Sequence, residues 1–66
     1  MKIRINGKEE EITGTPNIAD LLNNKGLCSE RVVVEHNLRI IQKEELQGVV
    51  LNEDDTLEII SFVGGG

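Results

Sequence analysis

Aromatic residues are almost missing from this chain: it has no Trp or Tyr, and Phe62 is its only Phe. A platform on which nucleobases could stack is therefore excluded. Cysteine is nearly as scarce. Cys28 stands alone and cannot close an internal disulfide, so a reducing cytoplasm is the expected compartment. No run approaches the ~20 apolar residues of a membrane span, and Met1-Lys2-Ile3-Arg4 lacks the apolar stretch of a signal peptide. Basic residues are outnumbered, 7 against 12 acidic ones, giving a net charge of −5 and a pI near 4.7. Nucleic-acid phosphates demand a basic surface, so that partner is excluded, and proteins carrying basic patches are favoured. At 66 residues the chain makes one domain, near the lower limit for folding without metal or disulfides.

A catalytic constellation is missing as well. His36 has no second ligand at metal spacing and no Ser or Cys to serve as a base, and it reads as a turn residue. Cys28 has no cationic or CxxC surroundings and reads as a small buried hydrophobe beside Leu27. Glu53-Asp54-Asp55 lacks the spacing of a calcium loop. It reads as the turn into the last strand, also available to basic residues of a partner. No convergent acid, base, nucleophile or metal set marks an enzyme.

What is present is a sequence of short elements. Lys2-Ile3-Arg4-Ile5 alternates, then Asn6-Gly7 supplies a tight type I′ turn, and Glu9-Glu10-Glu11-Ile12 returns. The glutamate run suits an exposed sheet edge, where charge discourages unwanted pairing. Asn17 resembles a helix N-cap with Asp20 in the first turn. Ile18, Leu21 and Leu22 form one apolar face, and Gly26 supplies a left-handed C-cap. So short a helix must lean on a sheet. Val32-Val33-Val34 is a strand, Glu35-His36-Asn37 a turn, and Leu38-Arg39-Ile40-Ile41 a returning strand. Residues 42–48 are polar, with an irregular helical turn around Leu46; Val49-Val50-Leu51 and an acidic turn over residues 52–55 follow. Thr56 to Val63 forms the last strand, expected inside the sheet. The order gives an α+β domain, a small mixed sheet with one helix across its face.

The chain closes on Gly64, Gly65 and Gly66. Glycine loses the most backbone freedom on ordering, so this stretch adds nothing to a core. It reads either as a frayed end or as a thin tail that offers a terminal carboxylate to a narrow channel. It is not a phosphate cradle, because the Lys-Ser/Thr and helix of a P-loop do not follow. Extended, residues 62–66 reach roughly 17 Å. Alternation puts Leu57 and Ile59 on one face of the last strand and Ile60 and Phe62 on the other. Either residues 42–51 fold over Ile60 and Phe62 as a minor core, or the two form a docking patch beside Val63. Phe62 favours docking, because aromatics are enriched among interface anchors.

Certain stretches carry a family resemblance: Ile3-Arg4-Ile5-Asn6-Gly7-Lys8, Ile18-Ala19-Asp20-Leu21-Leu22, and Val33-Val34-Glu35-His36-Asn37 before Ile40-Ile41. Asp54-Asp55 and the ending Ile59-Ile60-Ser61-Phe62-Val63-Gly64-Gly65-Gly66 complete the set. In this order the chain resembles the ubiquitin-like β-grasp proteins and, more closely, the ThiS family of thiamine sulfur carriers. A third glycine, where two are the family's minimum, is a departure that leaves the terminal pair intact. The related molybdopterin carrier is generally longer and tends to carry proline and small residues before its glycines; Phe62-Val63 in that place favours the thiamine branch.

The resemblance implies a β-grasp domain over residues 1–63 and a flexible reactive tail over 64–66. A C-terminal carboxylate is an anion at neutral pH and a poor electrophile, so it needs activation. The resemblance implies that an E1-like adenylating enzyme supplies this at Gly66, using ATP and magnesium; the chain itself would bind neither. A persulfide sulfur donor then displaces AMP, leaving a thiocarboxylate that gives its sulfur to thiazole synthase. On this reading the chain is a protein cosubstrate and not an enzyme. Alternatives are a molybdopterin-type carrier, a ubiquitin-like modifier joined to lysines through Gly66, or a plain β-grasp binding module.

Overall fold

The computed structural model describes residues 1–62. Strand β1 (Lys2–Ile5) turns back into β2 (Lys8–Glu11) through Asn6 and Gly7, whose φ angles of 51° and 84° match the expected tight turn. Register pairs Ile3 with Glu10 and Ile5 with Lys8. Strand β2 lies at the sheet edge, as its charge run requires. Ile12 falls just past β2 and packs, partly buried, against the core.

Helix α1 (Ile18–Asn24) begins where Asn17 Oδ1 accepts the Asp20 amide at 2.7 Å. It ends in two reversed bonds, Gly26 N–H to the Asn23 carbonyl and Leu27 N–H to the Leu22 carbonyl, with Gly26 at φ +73°. This Schellman arrangement turns Leu27 inward beside Leu22. The following residue consequently faces out: Cys28 is exposed, not a buried hydrophobe.

Strand β3 (Val32–His36) and β4 (Arg39–Ile41) form the second hairpin, and here the expected turn shifts. Glu35 and His36 belong to β3, and the turn is Asn37-Leu38 at φ 50° and 72°. This register sets Val34 directly opposite Ile41, two core side chains that an earlier turn would separate. The benefit is offset by strain at Leu38, an exposed leucine in the left-handed region.

The segment between β4 and β5 (Thr56–Ser61) makes a single helical turn at Lys43–Glu45. It then runs past the start of α1: Ile18 and Ala19 donate their amides to Val49 and Leu46, and Leu51 donates to Pro16. Amides that a first helical turn leaves unpaired are thereby satisfied. Leu46 and Leu51 join Ile18, Leu21 and Leu22 over the inner face of the sheet, where Ile3, Ile5, Val34, Ile41, Leu57 and Ile59 complete the core. The strand order is β2-β1-β5-β3-β4, with β5 parallel to β1 and antiparallel to β3. The last strand is central, as expected, and the whole is a ubiquitin-like β-grasp.

Candidate functional site

The outer sheet face is left uncovered by α1 and by the segment of residues 42–51, both of which pack on the inner side. Ile60 and Phe62 each keep 57% of their surface exposed there. The pair expected to project together does so, and residues 42–51 do not fold over it as a minor core. Phe62 donates its amide to the Arg31 carbonyl at 2.7 Å, which carries the β3–β5 ladder one residue beyond β5. On the other side Asn6 braces the strand: Ile59 N–H donates to Asn6 Oδ1 at 2.8 Å, and Asn6 Nδ2 donates to the Ile59 carbonyl at 3.2 Å. A side chain thus replaces a rung of parallel ladder where β1 has ended. The chain therefore approaches its terminus from a strand held on both sides. Val63, Gly64, Gly65 and Gly66 lie outside the described residues.

Two further apolar residues belong to this face and were missed by sequence reasoning. Val33 stands opposite Ile60, and Ile40, 59% exposed, stands opposite Glu35. The available signal was register: Val33 and Ile60 each neighbour a core residue, Val34 and Ile59, so both must point away from the helix. Glu35 in turn lies directly across from Glu58, which places two carboxylates among the exposed apolar side chains.

A polar knot closes the opposite end of β5. Asp55, 8% exposed, accepts the Asn52 amide at 2.9 Å, His36 Nε2 at 2.8 Å and Asn37 Nδ2 at 3.1 Å. Burial pushes the Asp55 carboxyl up, but the bonds from His36, Asn52 and Asn37 outweigh it and hold the group below its ordinary range. Asn37 Oδ1 also accepts the Thr56 amide at 2.9 Å. His36 is thus a strand residue with a buried partner and not a turn residue. Asp55 has both oxygens engaged within the fold and is not available to a partner, whereas Glu53 and Asp54 remain exposed. Among the described residues no group of three or more His, Cys, Asp or Glu is placed to hold a metal ion. Among the described residues no helix is long and apolar enough to cross a membrane.

Known proteins resemble this chain in architecture and in sequence. Sulfur carrier protein ThiS of Bacillus subtilis is 43% identical over 97% of this chain and 98% of its own length. A thiazole synthase of Paramagnetospirillum magneticum is 41% identical over the full chain, which spans 20% of that protein's length. The crystal structure of the thiamine biosynthesis protein ThiS from Geobacter metallireducens superposes with a TM-score of 0.85 at 29% identity, each chain covered completely. The ThiS family model matches residues 3–66, the braced strand and the glycine ending included, and the chain belongs to the ThiS family.

Proposed function

We propose that the chain is a sulfur carrier of thiamine biosynthesis, acting in the cytoplasm through a C-terminal thiocarboxylate at Gly66. The observation that carries the reading is its near full-length likeness to the Bacillus subtilis sulfur carrier. An adenylating enzyme bound to magnesium and ATP provides the activation. The Gly66 carboxylate oxygen attacks the α-phosphorus, pyrophosphate leaves, and an acyl-adenylate forms. The terminal sulfur of a persulfide donor then attacks the acyl carbon and expels AMP, giving an acyl disulfide. A second thiol cleaves the S–S bond, which frees the thiocarboxylate and leaves a disulfide on the donor side. The thiocarboxylate is a soft nucleophile suited to thiazole assembly. In thiazole synthases of two bacteria, a stretch like this chain occurs within the polypeptide, which supports a synthase as the recipient.

In this scheme Ile60, Phe62 and Val63 dock on the activating enzyme, and Gly64 and Gly65 carry the terminus into its site. The test is intact mass spectrometry after incubation with ATP, a persulfide source and the adenylating enzyme of the same organism. The expected result is a mass gain equal to exchange of one oxygen for sulfur, localised to Gly66. Isopeptide conjugates in place of that gain would favour a protein modifier, and no change with a demonstrably active partner would overturn the carrier reading. A bulky residue at Gly65 should abolish the gain and leave the unfolding transition unchanged.

A further inference from the structure

The outer face carries a charge arrangement that folding alone disfavours. Glu35 and Glu58 are directly opposed in the β3–β5 ladder. Side chains so placed have β-carbons about 5 Å apart, and like charges there repel. Among the described residues neither carboxylate makes an ion pair. The nearest ladder position that could bring a cation from β1 is Arg4, and it stands opposite Thr56 instead. On the same face Ile40 flanks Glu35, and Val33 and Ile60 form the next outward pair toward Phe62. Two unneutralised carboxylates are thus embedded in an exposed apolar patch.

We propose that Glu35 and Glu58 together receive one basic side chain of the adenylating partner, whose apolar surface covers Val33, Ile40, Ile60 and Phe62. The proposal rests on the docking reading above and adds the chemistry that selects the partner. A cation seated between the carboxylates turns their mutual repulsion into paired attraction. Arginine suits the position, because its planar fork presents donors to two acceptors at once. A second copy of this chain does not fit: face to face it would oppose four carboxylates, on chains of net charge −5. Phe62 lies four residues before Gly66 in sequence, so a partner seated on this face also meets the chain just ahead of its glycines. Repulsion in the free carrier lowers its stability slightly, and a docked cation relieves it, so the pair acts on both stability and association.

The experiment compares the parent with Glu35→Gln, Glu58→Gln, the double variant and Phe62→Ala. Association with the adenylating enzyme is followed by stopped flow at several ionic strengths, and each carrier's urea midpoint is measured. The double variant is expected to associate about tenfold more slowly at low salt, with a flatter salt dependence. Its unfolding midpoint should rise, because the repulsion is gone. A fall in stability with an unchanged salt slope would make the glutamates structural and overturn the proposal. An unaltered association rate would overturn it too, and Phe62→Ala then identifies what has failed. If that variant still binds weakly, apolar docking stands and only the charge inference is lost. If it binds like the parent, this face is not the docking surface and both readings fall.

Discussion

The two faces of one sheet are built from alternate residues of the same strands, yet they obey opposite rules. On the inner face β5 contributes Leu57 and Ile59, closed off by α1, Leu46 and Leu51. On the outer face the same strand contributes Glu58, Ile60 and then Phe62, and nothing in the described chain covers them. Carboxylates divide likewise. Asp55, at the inner side, has its oxygens engaged by His36, Asn37 and the Asn52 amide, whereas Glu35 and Glu58 oppose each other outside without a cation. The inner face satisfies every group within the chain; the outer face leaves apolar and charged groups for something else to satisfy. Binding surfaces differ from cores in this respect and not in their hydrophobicity alone.

Truncating a side chain on each face gives the largest contrast. Leu57 is fully buried, so Leu57→Ala should cost about 2–5 kcal/mol through lost burial and a residual cavity. For a chain of this length total stability is roughly 3–10 kcal/mol, so a parent near the lower end of that range loses much of the variant to unfolding. Ile60→Ala, three ladder pairs away, should change stability by less than about 0.5 kcal/mol, as exposed substitutions do. It should instead weaken association with the adenylating enzyme. Urea unfolding of both variants checks this, and equal losses would mean that the outer face is a second core.

A smaller effect separates the two ways of holding a carboxylate. Because the folded state keeps the Asp55 carboxyl below its ordinary value of 3.8, the unfolded chain binds more protons between the two values. Stability from this group is therefore complete above about pH 3.8 and is lost as pH falls through the lower, folded value. Asp55→Asn should flatten that acid limb of a plot of unfolding midpoint against pH. A limb as steep in the variant as in the parent would assign acid sensitivity to other carboxylates.

Much of this division was legible in the residues. Asn6-Gly7, the Asn17 cap, Gly26 and the alternation of Leu57, Ile59, Ile60 and Phe62 each act through neighbours a few positions away, and each stands as read. The misreadings involve partners far along the chain or the direction in which a turn sends the next residue. His36 looked like a turn residue because its partner, Asp55, lies 19 residues on. Cys28 looked buried because composition describes how often a free thiol is inside, not which way a Schellman ending turns the next residue. Val33, Ile40, Glu35 and Glu58 became one surface only when β3 took its register against β4 and β5.

The smallest effect concerns the hairpin that sets this register. Leu38 is 90% exposed at φ 72°, a backbone region in which its side chain is unfavourable. Leu38→Asn keeps the turn and tolerates that region better, so it should stabilise the fold by about 0.5 kcal/mol, read as a higher urea midpoint. Ile40 and Glu35 would keep their places, because Val34 and Ile41 still pair beneath them. If the variant gains stability and binds the adenylating enzyme as the parent does, Leu38 is only the strained tip of a turn. If stability rises while association falls, the docking surface extends past Ile40 to the end of the hairpin, and a strained, fully exposed leucine is explained by what it touches in the complex.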